Sequence, residues 1–224
     1  MMIEKNIFQR YLPDYEKLKE YGFNQDNNGL KLEKIFKDDL FKAIIKINKE
    51  GIVTGIVYDL ENNDEFLPLR IENTQGAFAS EVRNEYEKLL TNIRDNCFLK
   101  QYYIYPQSNR ITNLVLEKYG DEPEFLWDKF KGSGVFRNPK TKKWYLAILD
   151  TDRSKIQENK KGLIEVGLIK LSVENIEKLL KQKHFYPAWH MNKKHWITVI
   201  LDDSLPDDRI MELIEESHGF SCVK

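Results

Sequence analysis

The first hundred residues switch between helix-like and strand-like patterns of apolar positions. Apolar side chains recur at helical spacing over 3–21, where Pro13 predicts a kink or break and Gly22 predicts the end. The segments FKAIIKI, GIVTGIVYDL and EFLPLRI predict three strands, and NQDNNG at 24–29 predicts a turn. Helical spacing returns over 77–98. The pattern therefore predicts a helix, a meander of strands and a second helix.

The second half of the chain repeats this order. Ser108 predicts the start of a helix that ends at Gly120. GVFRN and KKWYLAILDT flank a turn at 139–141 and predict a hairpin, while GLIEVGLIKL and KHWITVIL predict two further strands. Ser172 predicts the N-cap of the helix between those strands, and SLPD at 204–207 opens the last helix with a pattern like a capping box.

Strands grouped between helices, without strict alternation of strand and helix, predict an α+β fold built on antiparallel sheets. We expect two helix–antiparallel-meander–helix domains, residues 1–100 and residues 101–224, with the boundary in KQYYIYPQSN at 100–109.

Composition limits the classes of function. With 41% hydrophobic and 12% aromatic residues, the 224-residue chain is expected to fold. Its 35 Lys and Arg are balanced by 36 Asp and Glu, so any attraction to nucleic acid or to an anionic membrane must be local. Cys97 and Cys222 predict free thiols in a reducing compartment. The charged start of the chain and the lack of a long apolar stretch predict a cytoplasmic protein without a membrane partner.

The stretch YPAWHMNKKHW at 186–196 suggests a metal or catalytic site, but its spacing is unfavourable. His190 and His195 would lie about 140° apart on a helix and on opposite faces of a strand. The chain contains no G-x-S-x-G, Walker or dinucleotide-binding motif. We therefore expect no catalytic residue, metal or cofactor. A hydrolytic or small-molecule site around His190, Asn192 and His195 stays open as an alternative.

Basic residues form the stronger local signal. Residues 129–161 hold ten Lys and Arg against three acids, and residues 181–195 hold four lysines and three histidines without an acid. Lysines 140, 142 and 143 lie in or beside the predicted hairpin turn, where they would project like a wing toward phosphates.

Tryptophan side chains interleave with these charges. Trp144, Trp189 and Trp196 would stack on bases if they were exposed. Two other interpretations stay open: a plainly solvated basic face, since lysines also protect strand edges, and a core position for Trp196.

Three segments carry a family resemblance. HMNKKHWITVILDDSLPDDRIMELIEESH at 190–218 resembles the signature of the MmcQ/YjbR family of small bacterial proteins. GVFRNPKTKKWYLAIL at 134–149 is similar to that family's first hairpin, and VGLIKLSVENIEKLL at 166–180 to its strand-then-helix segment. The resemblance covers residues 105–220 and implies a compact α+β sandwich. The positions that match are Lys170, His190, Met191, Asn192, His195 and Trp196.

The family's description as a "double-wing" DNA-binding protein implies DNA binding. It also implies that Asn192 forms a turn with positive φ, that His190 and Lys193 lie at the strand mouth, and that Trp196 packs beneath. We therefore predict low-specificity binding of DNA or another polyanion through six residues: Arg137, Lys140, Lys142, Lys143, Lys193 and Lys194. The alternative is a protein-interaction module without catalytic activity, in which residues 1–100 supply the surface for a protein partner.

Overall fold

The computed structural model describes residues 3–71 and 76–222 of the chain. The chain divides into two compact units, Met1–Gln101 and Tyr102–Lys224. Each unit combines helices with antiparallel sheets, which confirms the predicted α+β class. Among the described helices, none is long and apolar enough to cross a membrane.

The N-terminal unit is built on a five-stranded meander. Its helices are α1 (Ile3–Phe8), α2 (Tyr15–Tyr21) and α3 (Ala77–Cys97). Its strands are β1 (Tyr11–Pro13), β2 (Asn24–Asp26), β3 (Gly29–Phe36), β4 (Phe41–Asn48), β5 (Val53–Asp59), β6 (Asp64–Glu65) and β7 (Phe98–Lys100). Strands β2 to β6 pair in chain order, and β1 pairs with β7.

Alternation along the central strand places the core of this unit. On β4, Ala43, Ile45 and Ile47 are buried while the residues between them are partly or fully exposed. Helix α3 buries a stripe that includes Val82 and Tyr86 at a spacing of four residues. These two apolar surfaces belong to one buried cluster.

A carboxylate is buried within that core. Glu4 is 1% exposed; its Oε1 accepts a hydrogen bond of 2.7 Å from the Tyr86 hydroxyl, and both its oxygens lie 3.2 Å from Nη1 of Arg70. Arg70 also donates to the carbonyl of Gly55. A Cβ at Gly55 would lie 1.9 Å from the Tyr86 hydroxyl oxygen, so only glycine fits there.

The helix predicted over 3–21 is broken at Pro13, which was one of the two expected outcomes. The strand at the break was not predicted: Tyr11–Pro13 pairs with Phe98–Lys100. Proline has no backbone N–H to donate and restricts the residue before it to extended conformations, so Leu12 and Pro13 favour a short strand. Helix α2 then starts afresh, with the Asp14 side chain accepting from the backbone of Glu16 and Lys17, and ends at Gly22 as predicted.

Two further predictions in this unit are only partly right. In EFLPLRI the strand is limited to Asp64–Glu65, and Leu67–Arg70 forms a 3-10 helix with Pro68 in its first turn. The turn predicted over 24–29 is present but shorter, at residues 27–28; residues 24–26 form a strand that pairs with a strand over 29–36, which was missed. The predicted β4, β5 and α3 are present.

The C-terminal unit is a second α+β body. Its helices are α4 (Pro106–Tyr119), α5 (Val173–Leu179) and α6 (Asp207–Cys222). Its strands are β8 (Gly134–Arg137), β9 (Trp144–Asp152), β10 (Leu163–Lys170), β11 (Phe185–Pro187) and β12 (Trp196–Ile200). They form one antiparallel sheet in the order β11-β12-β10-β9-β8.

The two faces of this sheet are covered differently. Helices pack on one face, where Ile111 of α4 and Ile214 of α6 share a core with strand residues such as Ile148. On the other face, Trp127 and Met191 come from loops and pack against a small cluster of strand residues. The helix-free face is therefore where loop side chains are presented.

Helix α4 does not begin as predicted. Ser108 lies buried inside the first turn, and the helix starts at Pro106 after Tyr105. The buried carboxylate of Glu165 accepts hydrogen bonds of 2.8 Å and 3.0 Å from the backbone nitrogens of Ile104 and Tyr105. A negative charge at this end favours the helix. The predicted Gly120 stop and Ser172 cap are present, whereas β11 was not predicted.

Candidate nucleic-acid interface

Sheet pairing brings the predicted basic residues to one end of the C-terminal sheet. Arg137 at the end of β8 pairs with Trp144 at the start of β9, and Lys170 at the end of β10 pairs with Trp196 at the start of β12. We call this the basic end. It comprises Arg137, Lys140, Lys142, Lys143, Lys170, Lys193 and Lys194.

The hairpin turn at the basic end is held by its own hydrogen bonds. The Oδ1 of Asn138 accepts from the backbone nitrogens of Lys140 at 3.0 Å and Thr141 at 3.1 Å. Lys142 adopts a positive φ of 61° and donates its backbone N–H to the Asn138 carbonyl. The Thr141 hydroxyl donates to the carbonyl of Ser221 at 2.6 Å, which ties the turn to the end of α6. The lysines of this turn are therefore displayed on an ordered backbone.

The second turn, before β12, is organised by Asn192. Its Oδ1 accepts from the backbone nitrogen of Lys194 at 2.9 Å, and its carbonyl accepts from His195 and Trp196, both at 3.0 Å. The positive φ expected at Asn192 is found at His190 instead, at 58°. The side chain of Asn192 forms an Asx turn with the next residues, so its backbone stays in a common conformation.

The charged groups of the basic end differ in their partners. Lys140, Lys142, Lys193 and Lys194 are exposed, and none of them pairs with a carboxylate in the described part of the chain. Arg137 binds Glu124 in a bidentate pair, with Nε 2.6 Å from Oε1. That hydrogen-bonded pair raises the pKa of the guanidinium further above its ordinary value. These four lysines are thus the available charges.

Two of the predicted stacking residues pack inward. Trp144 and Trp196 are half-buried and join Trp127 and Met191 in the cluster on the helix-free face. The rings of Trp127 and Trp144 meet edge to face, 5.9 Å apart. Both tryptophans therefore support the strand ends from beneath, as the sequence interpretation of Trp196 as a core residue anticipated.

The histidines of this turn do not form a metal site. His190 and His195 are both exposed. Over residues 3–71 and 76–222, no three His, Cys, Asp or Glu side chains come together in a way that could hold a metal ion. His190 packs against Trp189, with ring centroids 4.1 Å apart and planes tilted by 52°.

The sequence interpretation missed a pocket on the helix-free face. This cavity of about 220 Å³, which we call the aromatic pocket, is lined by Trp127, Phe130, Ser133, Leu149, Asp150, Trp189 and His190. The aromatic residues of FLWDKF at 125–130 were the available signal, but nothing in the local pattern relates them to residues 189–190.

Solved structures provide one comparison. A crystal structure of a protein from Pseudomonas syringae, at 36% sequence identity and a TM-score of 0.49, covers 50% of this chain and 96% of that chain. A crystal structure of a Deinococcus radiodurans protein, described with domain DUF419, has 24% identity and a TM-score of 0.39, covering 50% of this chain and 76% of that one.

Proteins related in sequence provide a second comparison. The chain is 48% identical over 52 residues to the uncharacterized protein YjbR of Escherichia coli K12, covering 22% of this chain and 43% of that protein. It is 33% identical over 103 residues to the uncharacterized protein YyaQ of Bacillus subtilis, covering 46% of this chain and 87% of that protein. The YjbR family model matches residues 116–219. That matched range lies within the C-terminal unit. On the family model and the relative YyaQ together, the chain belongs to the YjbR family.

Proposed function

We propose that the C-terminal unit binds DNA, or another polyanion of similar charge density, through the basic end and with little sequence specificity. The observation that carries this proposal is a set of exposed lysines that have no carboxylate partner in the described part of the chain and lie on two turns at the same end of one sheet: Lys140, Lys142, Lys193 and Lys194. Such charges contact phosphates, which position a protein on nucleic acid without reading its sequence.

The spacing of the strands suits this role. Lys143, Lys170 and Lys194 lie at or next to the ends of β9, β10 and β12, three neighbouring strands. Neighbouring strands are about 4.8 Å apart, so β9 and β12 are separated by about 10 Å. Duplex DNA carries one negative charge per about 1.7 Å of its axis, so several phosphates fall within that width.

The charge balance of the chain predicts how such binding would behave. Because the net charge is −1, attraction depends on a local cluster rather than on the whole molecule. Each phosphate neutralised releases condensed counterions, and the logarithm of the affinity falls with the logarithm of the salt concentration. We expect less from Arg137, whose guanidinium is already engaged by Glu124.

The test is fluorescence anisotropy of a labelled duplex, titrated at several salt concentrations. We expect a Kd of about 10⁻⁴ to 10⁻⁶ M for the wild type, the ordinary range for non-specific binding, weakening as salt rises. The quadruple variant Lys142→Glu, Lys143→Glu, Lys193→Glu and Lys194→Glu should lose binding.

The matched control changes four lysines at the opposite end of the same sheet. Lys155, Lys160, Lys161 and Lys183 are exposed and lie in the connections before β10 and β11. Changing these four to Glu alters the net charge as much as the quadruple variant at the basic end does. It should nevertheless leave most of the affinity for the duplex. No binding by the wild type at low salt, or equal loss in both variants, would contradict a site at the basic end.

One observation favours a second function, docking of a protein partner on the N-terminal unit. Leu12 and Leu99 lie opposite each other on the β1–β7 pair and are 53% and 52% exposed. A directly opposed apolar pair in water is a candidate contact. The test is binding of a stoichiometric protein partner to two variants. Loss of that binding in Leu12→Ser/Leu99→Ser, with binding kept in the quadruple lysine variant, would favour this role.

We also infer that the protein works in the cytoplasm. Cys97 is buried and Cys222 is exposed, and both are free thiols. Thiols persist in reducing compartments, which supports this location. Fractionation of cells that express the full-length protein would test it, and recovery with the membrane fraction would contradict it.

A further inference from the structure

The aromatic pocket has the ring content of a site for a flat ligand. Three of its lining residues are aromatic, and Phe130 at the rim is 60% exposed. Trp189 is half-buried, and its backbone nitrogen donates to Oγ1 of Thr198 on β12, which fixes its position over the sheet. Aromatic side chains held in this way stack on nucleobases, because every base has a π face.

The polar groups of the pocket select for a ligand with N–H donors. Asp150 and Ser133 both line it, and the Ser133 hydroxyl donates to Oδ1 of Asp150 at 3.1 Å. In the described part of the chain, Oδ2 of Asp150 has no hydrogen-bond partner. A carboxylate only accepts, so it suits a ring edge that presents N–H groups. Guanine, with adjacent ring N–H and amino donors, fits this requirement best among the bases.

Charges around the pocket decide between a base and an organic cation. Within four residues of the pocket residues along the chain there are six basic side chains: Lys129, Lys131, Arg137, Arg153, Lys193 and Lys194. Four carboxylates oppose them: Glu124, Asp128, Asp150 and Asp152. A cation would be attracted by the rings and by Asp150, but the positive surroundings disfavour it. A ligand that combines a flat ring with a phosphate satisfies both the pocket and its surroundings.

The backbone conformation of His190 indicates that this part of the pocket is conformationally constrained. It is a non-glycine residue with a φ of 58°, and its ring packs on Trp189 at the pocket. Such left-handed backbone is costly and tends to persist where a functional site requires it. Lys193 follows three residues later, so even a fully extended chain keeps its Cα within about 11 Å of that of His190. A base in the pocket and its phosphate at Lys193 are within reach of one nucleotide.

We propose that the aromatic pocket holds the base of an unpaired nucleotide, preferentially guanine, while lysines of the basic end hold the adjoining phosphates. This inference rests on the proposed function, because it assigns the phosphates to the same lysines. It adds a base-binding site on single strands, which phosphate contacts alone would not provide.

The experiment compares two five-nucleotide single strands on the full-length protein, one with a central guanine between thymines and one with an abasic centre. The phosphates are identical, so any difference in affinity reports the base. We expect the guanine strand to bind about tenfold tighter, within the range for stacking of one base. The indole N–H signals of Trp127 and Trp189 should shift in ¹H–¹⁵N spectra, and those of the remaining two tryptophans should move less.

Three variants separate the contributions. Trp189→Ala, checked for an unchanged fold, should remove the preference for the guanine strand and keep salt-dependent binding of the abasic strand. Asp150→Asn tests the acceptor without removing a ring and should reduce the preference. Tyr15→Ala removes an exposed aromatic ring from the N-terminal unit. It should change neither the preference for the guanine strand nor the binding of the abasic strand.

The outcomes distinguish this inference from the proposed function. Equal affinity of the wild type for both strands would overturn the pocket inference and leave polyanion binding intact. If no strand or duplex binds, but free guanosine shifts the Trp127 and Trp189 signals, the polyanion proposal fails and the pocket stands. Shifts caused by tetramethylammonium and not by guanosine would overturn the inference in favour of an organic cation.

Discussion

At the scale of single residues, His218 shows how the fold controls an ionisable group. Its ring stacks on Tyr119 with centroids 3.9 Å apart and planes at 11°, and meets Tyr145 edge to face at 4.9 Å. Burial lowers its pKa below the ordinary 6.5, outweighing the charge of Asp121, which raises it. The folded protein therefore favours the neutral imidazole.

This environment predicts a dependence of stability on pH. Because the unfolded chain binds a proton at His218 more readily than the folded protein, the contribution of His218 is complete above pH 6.5 and is lost as the pH falls below it. His218→Phe keeps a ring and should flatten the fall in the free energy of unfolding between pH 7 and pH 5. Urea titrations at each pH would measure this. The exposed His195, changed to Phe, is the control, and an NMR pKa for His218 above 6.5 would contradict the prediction.

Residue roles were predictable where they depend on neighbours in sequence. The turn made by Asn192 and the lysines around it were found because an Asx turn and a hairpin tip are local features. The buried carboxylates of Glu4 and Glu165 were missed. Charged residues are normally exposed, and the partner of Glu4, Tyr86, is 82 residues away.

At the scale of elements, the N-cap of α5 can be tested directly. The Ser172 hydroxyl oxygen accepts from the backbone nitrogen of Asn175 at 3.2 Å. Ser172→Ala leaves that N–H without its acceptor and should lower the free energy of unfolding by about 1 kcal/mol. Chemical denaturation would measure the loss. Ser80→Ala is the control, since Ser80 is exposed and only its backbone forms a hydrogen bond in the described part of the chain; equal effects in both variants would contradict the capping role.

Elements with a strong period were predicted well. Helix α3 repeats apolar residues over its length, and the strands β4, β9, β10 and β12 carry continuous or alternating apolar residues. The predictions of short elements were only partly right because, in a short segment, apolar residues that favour a strand compete with residues that favour a turn or a 3-10 helix. In residues 67–70 the apolar composition favoured a strand, but Pro68 cannot donate to a ladder and starts a 3-10 helix. Strand β3 alternates apolar with charged residues and lies beside turn-like asparagines, which concealed it.

At the scale of the whole molecule, the two units have separate cores. The buried cluster of the N-terminal unit ends at Phe98, and every buried cluster of the C-terminal unit starts beyond Gln101. We therefore expect residues 102–224 to unfold cooperatively when expressed alone and to bind the duplex with the affinity of the full chain. Circular dichroism during urea unfolding and anisotropy would measure both. A non-cooperative transition, or lost binding despite a cooperative one, would contradict this.

The overall class was predictable because grouped strands between helices leave few alternatives. The convergence of the basic residues on one end of the sheet was only partly predictable from the sequence. Hairpin spacing linked Arg137 to Lys143, but the placement of Lys193 beside Lys170 depends on β12 pairing with β10. The aromatic pocket depends on loops more than fifty residues apart and has no local pattern.

The link between the hairpin turn and the end of α6 has a practical consequence. Asn138, which organises that turn, also donates to Sγ of Cys222 at 3.4 Å. Cys222 is exposed while the other cysteine, Cys97, is buried. A maleimide dye would therefore attach selectively beside the turn without any engineered cysteine. Emission from that dye would report directly whether a bound strand reaches this turn.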